Sequence, residues 1–376
     1  MSEFIQLHLL TSYPPSNLNR DDLGRPKTAV MGGVTRLRVS SQSLKRAWRT
    51  SDVFVQALGA EGSFEDALGK QVGMRTKDLG NYVHDALLAK KVDPERADEV
   101  AKGVAEVFGK MKASKGNGPD ERHAARQIEQ LAHVSVAEKA AVDALIERVA
   151  RGEVPTGDEY KGLLSNGHGS ADIALFGRML AANPGLNVDA ACQVAHAISV
   201  HKVAVEDDFF SAVDDLNKGI DDAGAGHLGT NEFGAALFYQ YVCVNRTLLL
   251  ENLDGDEQLA AAALRGLVEA CTKVAPSGKQ NSFGSRARAS FVLAERGEDQ
   301  PRSLSVSFLD PVAGEHMHEK AVAKLKSTRD NIDKVYGAAA QRSAWFDALS
   351  GESSFDGLSE DETAFGRLCA FVAEGA

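Results

Sequence analysis

Strand-like segments lie on both sides of a long stretch of helical sequence in this chain. From about Val55 to Lys161 the spacing of apolar residues is helical, as in ERADEVAKGVAEVFGKM and VAEKAAVDALIERVA. Alternating apolar residues in FIQLHLL, VTRLRV and AALFYQYVCVN predict strands. Because the helical blocks are irregularly placed, the sequence favours an α+β fold with a helical insertion over a regular βαβ repeat.

Other segments extend this prediction along the chain. The runs ADIALFG, AHAISVHKVAV and RARASFVLAE are also strand-like, whereas TSYPPSNLNRDDLGRPK is rich in turn-forming residues. A helix is predicted from near Asp256 to Val274, and the tail from His316 onward is predicted to be mostly helical.

The cysteine spacing and the hydropathy limit the classes of protein to which this chain can belong. Four isolated cysteines without CxxC spacing predict buried thiols rather than a disulfide or a metal site. No apolar run approaches the roughly 20 residues that a membrane-spanning helix needs, so we expect a cytoplasmic protein without a membrane partner.

Basic residues are concentrated at the amino end of an acidic protein. The formal net charge is −11, but residues 1–50 carry eight Lys or Arg against three acids, so the remaining residues carry −16. The segment KTAVMGGVTRLRVSSQSLKRAWR contains six of these cations and no Asp or Glu. A local basic surface of this kind is typical of nucleic-acid binding, and the net charge alone would hide it.

In this segment a predicted strand leads into a predicted helix. Strand alternation puts Arg36 and Arg38 on the face opposite to the apolar residues, and Ser40 or Ser41 is a suitable N-cap. The helix then carries a polar line of Gln42, Lys45, Arg46 and Arg49. Because helix amides, the positive end of the helix dipole and nearby cations all favour anions, the segment predicts a phosphate or nucleic-acid site. The alternative is an ordinary solvated face.

The acidic stretch EDDFFSAVDDL contains two adjacent phenylalanines, Phe209 and Phe210, in a segment predicted to be an exposed loop. They either anchor that loop locally or stack on nucleic-acid bases, a contact worth roughly 1–3 kcal/mol for each base. The neighbouring acids could bind magnesium, but such clusters are more often solvated, and no histidine or cysteine set has metal-ligand spacing. GAGHLG lacks the strand that a dinucleotide-binding fingerprint needs before it, so it predicts a glycine loop. We therefore expect no metal and no cofactor.

Several motifs together resemble one known family. LNRDD, KTAVMGGVTRLRVSSQSLKRAWR, DIALFGRM, AHAISVH, DFFSAVDDL, GHLGTNEF and GKQNSFG occur in the order and context of the CasC family, the backbone subunit of the type I-E CRISPR surveillance complex Cascade. The resemblance covers most of the chain and implies a modified RNA-recognition (ferredoxin-like) palm, a helical finger insertion and a thumb loop. The implied boundaries are palm 1–54, fingers 55–180, palm 181–204, thumb 205–232, and palm with C-terminal helices 233–376.

The resemblance also implies a function. Members bind CRISPR RNA without cutting it, line up head-to-tail along the guide with other Cascade subunits, and present guide bases for pairing with target DNA. The implied palm contacts are Asn19, Arg20, Lys27, Ser40, Gln42, Lys45, Arg46 and Arg49. The remaining implied contacts are the finger residue Met179, the thumb wedge of Phe209, Phe210 and Val213, and the loop residues Lys279 and Gln280.

Two enzyme alternatives remain open from the sequence. An endoribonuclease would use His227 or the acids of the thumb with magnesium. A phosphometabolite-binding enzyme would use the basic start of the helix. One departure from the family also stands out, because the first wedge position is Trp in some relatives and Phe209 here, which keeps stacking and loses the indole N–H donor.

Overall fold

The computed structural model describes residues 2–114, 116, 118–165, 169–180, 183–212, 227–355 and 363–375. The chain divides into two compact units. The first, which we call the sheet unit, comprises Met1–Thr50, Val194–Cys243 and Leu267–Glu374. The second, which we call the helical unit, comprises Ser51–Gln193, Val244–Gly266 and Gly375–Ala376.

The strands are, in chain order, β1 (Phe4–Ser16), β2 (Thr28–Met31), β3 (Val34–Val39), β4 (Met74–Thr76), β5 (Ala132–Val134), β6 (Cys192–Val194), β7 (Ala197–Ser199), β8 (Glu206–Ala212), β9 (His227–Asn245), β10 (Ala289–Gly297), β11 (Arg342–Asp347) and β12 (Ser353–Phe355).

The helices are α1 (Ser41–Arg49), α2 (Asp52–Ala57), α3 (Phe64–Ala67), α4 (Leu79–Ala89), α5 (Pro94–Phe108), α6 (Pro119–Ala124), α7 (Val136–Ala150), α8 (Gly157–Lys161), α9 (Ala171–Phe176), α10 (Arg246–Asn252), α11 (Glu257–Lys273), α12 (Gln280–Phe283), α13 (Met317–Tyr336) and α14 (Ala364–Ala373). Two short 3₁₀ helices span Pro184–Leu186 and Ser305–Phe308.

The sheet unit is built on an antiparallel sheet with the strand order β12-β11-β10-β1-β9-β7-β3-β2, and β8 pairs with the start of β9. One face of this sheet packs on α13, because the apolar residues of that helix recur at helical spacing. Leu325 of α13, for example, belongs to the same buried cluster as Phe291 and Leu293 of β10. This packing makes the fold a mixed α+β fold, as the sequence predicts.

A buried charged cluster links the middle strands of the sheet unit. His8 Nε2 contacts Glu295 Oε2 at 3.2 Å and His8 Nδ1 contacts Tyr239 Oη at 2.9 Å. Arg302 and Arg329 donate to the same glutamate at 2.7 and 2.8 Å. Burial lowers the pKa of His8. Burial also favours the neutral acid, but hydrogen bonds from His8 and Arg302 hold the pKa of Glu295 well below its usual range.

The helical unit has its own core. Val83 and Leu87 of α4 pack with Val100 and Val104 of α5 and with Val142 of α7, among other buried residues. In each helix the apolar residues recur every three or four positions, so that one side of the helix faces this core.

Most of the predicted elements are present. VTRLRV coincides with β3, VAEKAAVDALIERVA coincides with α7, and the helix predicted from near Asp256 to Val274 is α11. The first strand continues through residues that were predicted to form a loop, because β1 extends to Ser16. All four cysteine side chains are buried, as expected from their spacing.

Two of the predictions were wrong. ADIALFG forms helix α9 rather than a strand, because a short buried apolar run has no periodicity that separates the two. The acidic segment around Phe209 is strand β8, paired antiparallel with β9, rather than a loop. The described part of the tail is mostly helical, as predicted, and β11 and β12 add strands to the sheet between α13 and α14. The assignment of palm, fingers and thumb stays a prediction.

Candidate nucleic-acid interface

Helix α1 presents the predicted cations at the edge of the sheet unit. Ser40 is the N-cap, and Leu44 and Trp48 are buried, so the opposite side of the helix faces outward. Gln42 and Arg46 are exposed and Lys45 is half-buried. Gln42 lies three and four residues before these two cations, so all three share one side of the helix.

The first amides of α1 already have acceptors within the protein. Ser40 N donates to Asn19 Oδ1 at 2.9 Å, Ser41 N donates to His196 Nδ1 at 3.2 Å, and Ser43 N donates to Ser40 Oγ at 3.4 Å. These three amides are therefore not available to a phosphate. Asn19 and Ser40 shape the start of the helix, and side chains would supply most of the contacts to an anion here.

Arg36 is a correction to the predicted basic strand face. Its side chain is 0% exposed, and its guanidinium donates to the carbonyl oxygens of Ser199 at 3.1 Å and Phe308 at 2.8 Å, with longer bonds to Met31 and Leu309. Burial lowers the pKa of Arg36. Arg36 thus joins three chain segments and is not available to a ligand, whereas Arg38 on the same strand is partly exposed.

Gly32 explains why the face around Arg36 is closed. Its φ is +61°, and a Cβ at this position would lie 1.7 Å from the carbonyl oxygen of Leu309. Only glycine tolerates both the backbone conformation and this approach. The turn between β2 and β3 can therefore lie directly on the 3₁₀ segment that supplies acceptors to Arg36.

Arg49 is likewise not an exposed contact. Its side chain is buried, as is that of Trp48, at the end of α1. The polar line predicted along the helix therefore consists of Gln42, Lys45 and Arg46, and it stops one turn earlier than the sequence suggests.

His196 belongs to no histidine set with metal-ligand spacing, and the structure places it at the start of α1. Its Nδ1 accepts from Ser41 N at 3.2 Å and lies 3.3 Å from Arg38 Nη1. Burial, followed by the charges of Arg38 and Lys27, lowers the pKa of His196. Two donors at Nδ1 require the neutral ring with its proton on Nε2. His196 therefore positions both Arg38 and the start of α1.

The sheet unit also contains a polar cleft. It has a volume of about 370 Å³ and is lined by Arg20, Leu23, Gly24, Arg25, Thr230, Asn231, Glu232 and Lys279. We call it the Arg20–Lys279 cleft. Two of the predicted site residues, Arg20 and Lys279, are thus brought together from positions far apart in the sequence.

Lys279 is held in a specific position at this cleft. Its backbone is left-handed, with φ +47°, and its Nζ donates to Asn231 Oδ1. The preceding Gly278 packs against Leu18, because a Cβ there would lie 2.2 Å from the Leu18 carbonyl oxygen. A non-glycine residue in the left-handed region costs free energy and persists only where its surroundings impose it.

Gln280 contributes to the shape of the loop, and its predicted contact with RNA stays a prediction. Its side-chain Nε2 donates to the carbonyl oxygens of Pro276 at 2.9 Å and Ser285 at 3.4 Å. The amide group therefore fixes the shape of the loop that carries Lys279.

The aromatic pair lies on strand β8. Phe209 is opposite Thr230 and Phe210 is opposite Gly229 in the β8–β9 register. Phe209 is 68% exposed and Phe210 is 38% exposed. A Cβ on Gly229 would lie 2.4 Å from the Phe210 ring, so the absence of a side chain at Gly229 leaves room for that ring. Val213, the third predicted wedge residue, lies outside the described residues.

Met179 belongs to the helical unit and is 76% exposed between the buried residues Arg178 and Leu180. Arg178 Nη1 donates to Glu138 Oε2 at 2.8 Å in a pair that is buried on both sides. Met179 lines a groove of about 290 Å³ together with Leu131 and Lys110, among others. The buried ion pair fixes the backbone that presents the methionine.

The described parts of the chain contain no group of three or more His, Cys, Asp or Glu side chains arranged to bind a metal ion. No described helix combines the length and the apolar character needed to cross a membrane.

The fold and the interface define a mixed α+β protein with a basic and aromatic surface on an antiparallel sheet. The chain belongs to the family of CT1975-like proteins, whose model matches residues 5–370. It is similar to a solved chain described as "CRISPR RNA-guided surveillance complex, pre-nicking", with 30% identity, a TM-score of 0.83, and coverage of 98% of this chain and 100% of that one. A second solved chain, described as "CRISPR RNA-guided surveillance complex", shares 26% identity with a TM-score of 0.59 and coverage of 98% of each chain. No curated protein matches.

Proposed function

We propose that this protein is a non-catalytic, RNA-binding backbone subunit of a CRISPR RNA-guided surveillance complex of the Cascade type. In this role several copies line up head-to-tail along one CRISPR RNA, beside other subunits of the complex. They bind its backbone and leave its bases free to pair with target DNA. The likeness to chains of surveillance complexes over nearly the whole length supports the proposal, and the type I-E assignment is part of it.

One observation carries the proposal at the level of residues. Five accessible cations near the amino end of a protein with net charge −11 lie on the sheet unit: Arg20, Lys27, Arg38, Lys45 and Arg46. On the same unit, exposed Phe209 pairs in register with Thr230, which lines the Arg20–Lys279 cleft. Cations and an exposed aromatic ring on one unit are the components of a single-strand binding site.

The chemistry of this surface suits a ligand of any sequence. The accessible groups are mainly Lys and Arg, which bind phosphates, and contacts to phosphate and sugar position a strand without reading its bases. A subunit that has to bind every guide needs this property, because base pairing with the target reads the sequence. Head-to-tail association does not close on itself, so the length of the RNA would limit the assembly.

The first test is direct binding of RNA by the purified full-length chain. We expect a labelled single-stranded RNA to bind with an affinity that falls steeply as the salt concentration increases. The slope of the logarithm of the binding constant against the logarithm of the salt concentration should be about −0.7 for each phosphate contact. Nucleic acid that copurifies with the chain should be RNA. Protein that remains free of nucleic acid and does not bind RNA at low salt would contradict the proposal, and it would favour the phosphometabolite-binding enzyme.

A second test addresses the endoribonuclease alternative. Guide-like and target-like RNAs would be incubated with the protein, with and without Mg²⁺, and resolved on a denaturing gel. We expect intact RNA in every lane. Cleavage that depends on protein and Mg²⁺ would overturn the non-catalytic assignment while leaving RNA binding in place.

A further inference from the structure

The Arg20–Lys279 cleft contains an acid where a pure phosphate site would have none. Among the described residues that line it, Arg20, Arg25 and Lys279 are cations and Glu232 is the only carboxylate. A carboxylate repels a phosphate and accepts hydrogen bonds without donating them. Its position among three cations therefore suggests a ligand that brings both a negative charge and a hydrogen-bond donor.

The side chain of Glu232 is held in place on the cleft wall. Its Oε1 accepts from Arg25 Nε at 3.1 Å, and the carboxylate is 24% exposed. An ionised carboxylate has about four acceptor positions, so this single contact leaves acceptor capacity for a ligand. The ion pair with Arg25 also orients the carboxylate.

The backbone of Glu232 is anchored separately from its side chain. Its carbonyl oxygen accepts from Asn17 Nδ2 at 2.9 Å, and the same amide donates to the Gly24 carbonyl oxygen at 3.0 Å. Asn17 thereby ties the loop that carries Arg20 and Arg25 to β9. Because this bond uses the main chain of Glu232, replacement of its side chain leaves the cleft walls joined.

A nucleotide unit of RNA offers the matching groups. Its phosphate suits Arg20 and Lys279, and its 2′-hydroxyl is a donor that DNA lacks. The cleft volume of about 370 Å³ lies within the range of small-molecule sites and accommodates one sugar-phosphate unit. Deoxyribose would offer the carboxylate no hydrogen-bond donor and would still place a polyanion beside it, which is the unfavourable arrangement.

We propose that Glu232 accepts a hydrogen bond from a ribose 2′-hydroxyl in the Arg20–Lys279 cleft and makes the protein select RNA over single-stranded DNA. This inference rests on the proposed RNA-binding function and adds to it a residue that determines specificity. Glu232 acts through attraction to the ribose hydroxyl and through repulsion of any strand that lacks it.

The test compares the Kd of one RNA sequence with the Kd of the same sequence as DNA, at fixed salt, for the full-length protein. Wild-type protein should prefer RNA. We expect Glu232→Ala to reduce the RNA-to-DNA preference on the order of tenfold, mainly through tighter binding of DNA, as loss of one charged hydrogen bond and one repulsion predicts. Glu232→Gln keeps an acceptor without the charge, so it should give an intermediate preference.

Glu206 provides a matched control. It is an exposed glutamate on β8, opposite Phe233 in the register with β9, and it does not line the cleft. Glu206→Ala removes the same charge, so any general gain in affinity for nucleic acid appears in it too. We expect Glu206→Ala to leave the RNA-to-DNA ratio unchanged.

A modified RNA isolates the hydroxyl itself. RNA with 2′-fluoro substitution retains a ribose-like sugar conformation but has no donor at this position. Wild-type protein should bind it more weakly than RNA, and Glu232→Ala should bind the two equally. The Kd values for RNA and DNA could change equally in the Glu232 variants, or the 2′-fluoro group could have no effect on wild-type binding. Either result would overturn the role of Glu232 and leave the proposed RNA-binding function in place. Failure of wild-type protein to bind any RNA would instead overturn the proposed function and this inference with it.

Discussion

Replacement of Arg36 tests whether this cation of the basic segment has a structural role or binds a ligand. Arg36→Met removes a buried guanidinium but keeps most of the aliphatic volume. The two shortest bonds of this guanidinium, to the carbonyl oxygens of Phe308 at 2.8 Å and Ser199 at 3.1 Å, are lost in the variant. A buried acceptor without a donor costs about 1–3 kcal/mol, so we expect the free energy of unfolding to fall by about 3 kcal/mol.

Arg38→Met is the control for this variant. Arg38 lies two residues further along the same strand and is partly exposed. Its loss should change the free energy of unfolding by less than about 1 kcal/mol, as for most surface substitutions, and should weaken RNA binding. The two variants have the same change in charge and composition, so any difference between them comes from where the side chains lie.

The assay has two parts. Urea denaturation followed by circular dichroism gives the free energy of unfolding, and fluorescence anisotropy without denaturant gives the Kd for RNA of the folded protein. We expect Arg36→Met to lower stability with little change in Kd, and Arg38→Met to do the reverse. Unchanged stability of Arg36→Met together with a large loss of RNA affinity would refute the assignment of Arg36 as a buried structural residue.

Three further predictions address the interface and the core. The double variant Lys45→Ala, Arg46→Ala should lose two phosphate contacts with a single strand. The slope of log binding constant against log salt concentration should therefore become less steep by about 1.4. An unchanged slope in a salt titration would contradict a role of these two cations in phosphate binding. Phe209→Ala should largely preserve RNA affinity while changing the chemical reactivity of bases along the bound RNA, because an exposed ring that stacks on bases is removed; identical probing patterns would exclude such stacking. Burial lowers the pKa of His8 from its ordinary value of 6.5, so below that pH the unfolded chain binds a proton that the folded protein does not. Stability should therefore decrease as the pH falls from about 6.5 toward the lower folded-state value, and His8→Gln should flatten this part of a urea-denaturation series.

Local pattern was sufficient for much of the fold. The alternation in VTRLRV and the serine cap before SQSLKRAWR specify β3 and α1, because both features act over a few residues. The long helices α5, α7 and α11 were predictable for the same reason. The pattern failed for ADIALFG, because a short apolar run is compatible with either a strand or a helix until tertiary contacts decide.

The side chains of the interface depended on contacts that no local pattern contains. Alternation predicted that Arg36 faces outward, but residues some 270 positions away in the sequence cover it and accept its hydrogen bonds. His196 carried no signal at all, because its partners Arg38 and Ser41 are more than 150 residues away. Composition showed that a basic surface exists, whereas the choice of exposed cations required the tertiary structure.

The occupied amides of α1 change how an anion can be bound at this surface. Backbone amides would give short, directed bonds, but Asn19, His196 and Ser40 already accept from the amides of Ser40, Ser41 and Ser43. Binding then depends mainly on flexible Lys and Arg side chains, which favour any polyanion and release counterions from RNA and DNA alike. Such a surface supplies affinity with little selectivity, so discrimination has to come from a group that disfavours the wrong strand. Among the described residues of the Arg20–Lys279 cleft, only Glu232 carries the charge to do this.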